Sequence, residues 1–349
     1  MSAIRVLVVD DSITMRALFT SALERNKDLI VVGAANGADE AREMIAEYRP
    51  DVLTLDVEMP GKNGLEFLEE LMETKPIPVV MLSTLTQKGS EVTLRALELG
   101  AVDCFPKPAR ATPDEFEKIS GKLGKVVMTA AKTNLAARKM NTAAPAAPIA
   151  DGSYAWDGSL IVISGGMGGI EAASAMLSTF PANCPPTVLL LAVDEGFGMP
   201  LALRLAQTIS PQVKLATDGE ALAQGTVYVA VDPNCHVVVD RWPGGHLRLI
   251  ARDPVNGCRP SADLLLASVA KTAGVKGTGV LLSGGGADGA AGLAALRGVQ
   301  GQCLAQDPET ALVRERIDIA TEKGAIASFS APGALTGAAL RLVSQSVAA

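Results

Sequence analysis

Five times before residue 122 the chain passes from a short apolar run into a segment with helical spacing. The runs "IRVLVV", "LIVVGAA", "DVLTL", "PVVML" and "AVDCF" read as strands. Between them, "ALFTSALERN", "ADEAREMIAEY", "LEFLEELMET" and "EVTLRALELG" carry apolar residues at helical intervals. Five consecutive β/α units predict a doubly wound parallel sheet, flavodoxin-like in type, over residues 1–122. The fifth helix opens on Thr112, Pro113 and Glu115, a capping-box start with proline at the first helical position, and it places Phe116, Ile119 and Leu123 on one face.

The stretch "AAKTNLAARKMNTAAPAAPIADGSYAWDGS" has no strand pattern and is rich in alanine, proline and small polar residues. It is expected to be a linker over residues 123–158, its first part prolonging the helix. A second α/β domain is expected over residues 159–349. Its strands read "LIVIS", "VLLLAV", "VKLAT" and "TVYVAV", followed by a hairpin in "HVVVDRWPGGHLRLIARD", then "TGVLLS" and "GQCLAQ". The antiparallel hairpin predicts a mixed, mainly parallel sheet.

The first-domain strands end in polar groups. Asp10 and Asp11 follow the first strand, Asp56 ends the third, Ser83 ends the fourth, and Lys107 lies just past the fifth. In a parallel sheet all carboxyl ends share one edge, where ligands bind. Three carboxylates gathered there repel one another unless a cation sits among them, which predicts a Mg²⁺ site. Asp56 is then placed to attack a phosphoryl group, Lys107 to hold the growing negative charge, and Ser83 to hydrogen-bond the product. Taken singly, each residue has an ordinary role: Asp11 or Ser12 as a helix cap, Ser83 as a loop residue, Lys107 as a solvated charge. Their arrival at one edge of one sheet favours an aspartyl-phosphate switch.

This domain resembles the response-regulator receiver family over its whole length. The matching residues are the acidic pair Asp10-Asp11, Asp56 within "LDVEMPGKNGLEFL", Ser83, and Lys107 with Pro108. The resemblance implies phosphorylation at Asp56 by a histidine kinase, and a Mg²⁺ ion held by Asp11, Asp56 and the backbone carbonyl of Glu58. At the family's switch-aromatic position, three residues before the lysine, this chain has Cys104, with Phe105 next to it.

The remainder is similar to one branch of such proteins, the chemotaxis protein-glutamate methylesterases of the CheB type. "MLSTLTQKGSEVTLRALELGAVDCF", "GTVYVAVDPNCHVVV", "RDPVNGCRPSADLLLASVA", "GVLLSGGGADGAAGLAALR" and "AQDPETALV" follow that family in order. The resemblance implies action on methyl-accepting chemoreceptors, by hydrolysis of glutamyl methyl esters and deamidation of glutamines, through a Ser-His-Asp triad.

Residue by residue, however, that triad is incomplete. The family's serine turn aligns with Ser164-Gly165-Gly166-Met167-Gly168-Gly169, which puts Gly166 at the nucleophile. The family's histidine aligns with Val193, and its aspartate with Asp288. Ester hydrolysis by this route needs a hydroxyl, an imidazole and a carboxylate, and neither glycine nor valine supplies its part. Ser164 is the fallback nucleophile if the turn shifts, but the chain's two histidines, His236 and His246, lie outside the turn. Asp288 has an equal claim as a first-turn residue of the helix that follows it. The turn also fails as a dinucleotide loop, because the last glycine of G-x-G-x-x-G would fall on Glu171.

Two functions follow. One is a receiver joined to a methylesterase-like binding module that no longer hydrolyses; the other is an active esterase and glutaminase with a relocated nucleophile. A net charge of −7, aromatic residues at only 3% and no basic recognition helix disfavour nucleic-acid binding. No run is long enough to insert into a membrane, and the opening "AIRVLVVDDS" lacks a leader pattern, so a cytoplasmic protein is expected. The five scattered cysteines are expected to be reduced and structural.

Overall fold

The structure is a computed structural model, and it describes residues 3–83, 87–108, 113–137, 155–192 and 198–344. The chain divides into two compact units, Met1–Leu135 and Ala136–Ala349. In the first, strands β1 (Ile4–Val9), β2 (Leu29–Ala35), β3 (Val52–Asp56), β4 (Val79–Ser83) and β5 (Asp103–Pro106) form one parallel sheet in the order β2-β1-β3-β4-β5. That is the flavodoxin-like order. Val6, Leu7, Val8 and Val9 are wholly buried, as the continuous apolar run requires of a central parallel strand.

Helices α1 (Ile13–Glu24), α2 (Ala38–Tyr48), α3 (Gly64–Thr74), α4 (Gln87–Leu99) and α5 (Pro113–Ala131) alternate with these strands. Local chemistry sets their starts: the Ser12 hydroxyl accepts from Met15 N–H, and Asn63 and Glu66 form a reciprocal capping box. The fifth helix runs past the expected limit at residue 122 to Ala131, because Leu123, Val127 and Ala130 continue its buried stripe. Its expected cap, Thr112, lies outside the described residues, as does the alanine-proline tract at 138–154.

In the second unit, β6 (Leu160–Gly165), β7 (Thr187–Leu191), β8 (Gln212–Leu215), β9 (Thr226–Ala230), β12 (Gly277–Leu281), β13 (Gln302–Gln306) and β14 (Ser328–Ser330) make a seven-stranded sheet. Its order is β14-β13-β12-β6-β7-β9-β8, and every pairing is parallel. The expectation of a mixed sheet is thus corrected. The hairpin strands β10 (His236–Val239) and β11 (Leu247–Ile250) form a separate antiparallel sheet. They leave the main sheet because Val237, Val239 and Leu247 are buried in one cluster with Leu265, Leu266 and Val269, from the helix α8 described below.

The helices of this unit are α6 (Gly169–Leu177), α7 (Gly198–Thr208), α8 (Ala262–Thr272), α9 (Ala290–Gly298), α10 (Glu315–Glu322) and α11 (Pro332–Leu342). Strand β6 has β7 on one side and β12 on the other, so the winding reverses there. The glycine turn leaves β6 at this reversal, where open α/β sheets have their binding crevice.

Candidate functional site

Strand β1 delivers Asp10 and Asp11 to the carboxyl edge of the first sheet, β3 delivers Asp56, β4 Ser83, and the segment after β5 Lys107. These residues converge as the sequence predicts. Lys107 Nζ lies 2.7 Å from Asp10 Oδ2 and 2.7 Å from Asp56 Oδ2. Its position is fixed by its own N–H, which donates to the Ser83 carbonyl at 2.7 Å. Asp10 and Asp56 are buried while Asp11 is exposed, and carboxylate oxygens of all three lie within 4.8 Å of one another.

Each buried carboxylate is also held from the backbone. Ser12 N–H donates to Asp10 Oδ1 at 3.0 Å, and Glu58 N–H to Asp56 Oδ1 at 3.2 Å. Burial pushes the Asp56 carboxyl above the ordinary range; Lys107 opposes that shift and Asp10 adds to it. Three converging carboxylates, one of them exposed, form the all-oxygen, open-sided donor set that suits a hard divalent cation. An open cleft of about 480 Å³ borders Asp11, Glu58, Met59, Asn63 and Val92, which gives a ligand access.

Two supports escaped the sequence reading. Arg16 on α1 donates from Nη1 to the carbonyls of Asp10 and Asp11, at 2.7 and 2.9 Å, and clamps the acidic turn. Thr93 on α4 shares a hydrogen bond of 3.2 Å with the Ser83 hydroxyl. Cys104 lies beside the same residue, its Sγ 3.8 Å from the Thr93 carbonyl, while Phe105 is buried.

In the second unit, Gly166 and Ser164 sit at the end of β6, as aligned. Ser164 is fully buried, and its hydroxyl is met at 3.5 Å by Nη1 of Arg316 on α10. A Cβ on Gly166 would lie 3.1 Å from Arg316 Nη2. Burial lowers the pKa of this guanidinium, with the Asp288 carboxylate acting the other way. Arg316 was not singled out in the sequence; the one signal is its place one helical turn before buried Ala320. Val193 lies outside the described residues, as do Asp194 and Glu195.

Both oxygens of Asp288 are engaged at the start of α8. Its Oδ1 accepts from Ser261 Oγ at 2.7 Å and Asp263 N–H at 3.1 Å, and its Oδ2 from Ala262 N–H at 2.8 Å. It therefore caps α8 and not the helix that follows it in sequence. Ser261, His236 and Asp288 adjoin, yet they are not wired for catalysis. His236 accepts at Nδ1 from Ser261 N–H and meets the Asp253 carbonyl through Nε2, so neither ring nitrogen is left to take the serine proton. His236 and Ser261 are both fully buried.

The sequence profile of the CheB methylesterase family matches residues 161–338, and that of the response regulator receiver domain matches residues 6–118. The chain is 45% identical over 328 residues to protein-glutamate methylesterase/protein-glutamine glutaminase 1 of Caulobacter vibrioides, covering 93% of this chain and 94% of that one. It is 44% identical over 323 residues to the protein of the same name from Rhizobium johnstonii, covering 92% and 91%. The Thermotoga maritima CheB methylesterase catalytic domain superposes with a TM-score of 0.52 at 29% identity, covering 54% of this chain and all of that one.

Proposed function

Because the chain belongs to the CheB family, a receiver domain followed by a methylesterase domain in a chemotaxis response regulator, we propose that phosphorylation at Asp56 controls a second domain that binds its target without hydrolysing it. A histidine kinase of a chemotaxis system supplies the phosphoryl group. Asp56 attacks it, Lys107 balances the charge on the acyl phosphate, and the Ser83 hydroxyl turns from Thr93 to hydrogen-bond a phosphoryl oxygen. Asp11, Asp56 and the Glu58 carbonyl would hold Mg²⁺, which when bound neutralises charge on the incoming phosphoryl oxygens. No helix among the described residues is long and apolar enough to cross a membrane, and we place the protein in the cytoplasm, beside methyl-accepting chemoreceptors.

The observation that carries the non-hydrolysing reading is the approach of Arg316 to Gly166: where the family's serine would stand there is no hydroxyl, and a guanidinium lies against the position. Relocation to Ser164 is opposed by that residue's complete burial and by the absence, among the described residues, of an imidazole beside it. A second reading, an active methylesterase and glutaminase, is favoured by the shared name of relatives 45% and 44% identical along nearly the whole chain.

Methanol release from methylated chemoreceptor membranes, with and without a small-molecule phosphodonor, separates the two. No release from protein phosphorylated at Asp56 supports the binding module. Release that disappears in Ser164→Ala establishes the esterase.

A further inference from the structure

Of the three carboxylates at the edge of the first sheet, two are held by their side chains and one is not. Lys107 pairs with Asp10 and Asp56, and the Ser12 and Glu58 N–H groups donate to the same two side chains. The Asp11 carboxylate is exposed and makes no hydrogen bond or ion pair among the described residues. Even so, it lies with an oxygen inside the 4.8 Å span that joins the three. So short a side chain points where its backbone aims it, and what aims Asp11 is the turn from β1 into α1.

That turn is gripped from within α1. Arg16 Nη1 donates to the Asp10 carbonyl at 2.7 Å and to the Asp11 carbonyl at 2.9 Å. Two successive carbonyl oxygens brought to one point repel each other, so the turn needs a shared donor to keep this shape. The donor is itself anchored: Arg16 N–H donates to the Ser12 carbonyl at 2.9 Å, and the Ser12 hydroxyl caps the same helix at Met15 N–H. The Arg16 side chain is half-buried, and among the described residues it makes no ion pair. Its bonds go to the carbonyls of the acidic residues and not to their carboxylates.

We propose, on the reading above of Asp11, Asp56 and the Glu58 carbonyl as Mg²⁺ donors, that Arg16 is a positioning residue for the cation. By holding both carbonyls it aims the Asp11 carboxylate, and so sets the affinity for the metal without touching metal or phosphoryl group. Charge alone would act the other way, since a fixed positive group beside a cation site disfavours the cation. The two roles therefore differ in sign. Removing a mere charge tightens Mg²⁺ binding, whereas removing the grip loosens it by about tenfold or more, the scale on which residues that orient metal ligands act.

The test is a Mg²⁺ titration of the intact protein without phosphodonor, following the Asp11 and Ser12 N–H resonances by NMR in the unmodified protein, Arg16→Met and Arg16→Lys. Arg16→Met should bind Mg²⁺ about tenfold or more weakly. Arg16→Lys should bind more weakly as well, because its ammonium keeps the charge without the reach and planar fork of the guanidinium. At saturating Mg²⁺, phosphoryl uptake by both variants should approach that of the unmodified protein. Unchanged or tighter Mg²⁺ binding in Arg16→Met overturns the proposal, and if that variant does not fold, wild-type affinity in Arg16→Lys does so. A deficit in uptake that Mg²⁺ does not restore also overturns it, by placing Arg16 in phosphoryl transfer itself. No Mg²⁺ response in the unmodified protein overturns the metal reading, and the role of Arg16 with it.

Discussion

Asp263 and Asp288 cap each other's helices. Asp288 accepts from the first residues of α8, and Asp263, in the first turn of α8, accepts at Oδ1 from Gly289 and Gly292 N–H at the start of α9, at 2.9 and 2.7 Å. Each carboxylate satisfies donors that its own helix cannot. Asp288→Ala should cost about 2–3 kcal/mol in urea unfolding, and the double variant with Asp263→Ala should cost less than the sum of the two singles. Strict additivity would show that the caps act independently.

Phosphorylation should depend on the cluster at the first sheet's edge. Asp56→Asn should take up no phosphoryl group from a small-molecule donor, and Lys107→Ala should slow uptake by about 10²-fold, the scale on which one charge-stabilising donor acts. Chelation of divalent cations should stop uptake in the unmodified protein. Intact-mass spectrometry reads all three.

Gly64 is where α3 meets the strand that carries Asp56. A Cβ there would lie 1.9 Å from the Asp56 carbonyl oxygen, so backbone must move. Gly64→Ala should cost about 3 kcal/mol or more and depress phosphoryl uptake with it. A thermal melt unchanged by the substitution would contradict that contact.

Acid should weaken the first unit through Glu70. Arg42 reaches both carboxylate oxygens, at 2.6 and 3.0 Å, and Lys62 pairs with the same group. Hydrogen bonds from these two partners pull Glu70 from its ordinary 4.5 down to about 2. A depressed acid stabilises the fold above its unfolded pKa and loses that contribution as pH falls through the folded one. The window is therefore pH 5 to 2, and solvent screening limits the effect to about 1 kcal/mol. Glu70→Gln should flatten stability across that window.

Restoring the missing side chains should not restore hydrolysis. A serine at 166 would lie against the Arg316 guanidinium, so Gly166→Ser with Val193→His should release no methanol from methylated receptor membranes while Arg316 stays. Turnover by that double variant would mean that Arg316 swings clear of the turn.

The first site was legible because a parallel sheet turns sequence position into spatial position: residues ending β1, β3 and β4, and the lysine after β5, must share one edge. Arg16 was not legible, since nothing in "SITMRALF" says which carbonyls a long side chain will reach. In the second unit the glycine turn was found from its pattern, whereas Arg316 is a charge within "RERIDIA", and only the fold shows it facing inward. For Asp288 the sequence offered only a place in the triad or a role at its own helix, and its actual partners, Ser261, Ala262 and Asp263, are distant in the chain. The hairpin was assigned to the main sheet for a related reason, since burial against α8 is a contact between distant segments.

The seven-stranded sheet has a consequence for how the second unit assembles. No two of its strands are joined by a hairpin, so none of its pairings is quick and local. Strand β6, at its centre, finds β7 soon after synthesis, but its other neighbour is β12, with Leu160 opposite Gly277. Until that late strand emerges from the ribosome, one side of β6 presents unpaired backbone groups. The second unit should therefore fold slowly, with β6 the point most in need of a chaperone.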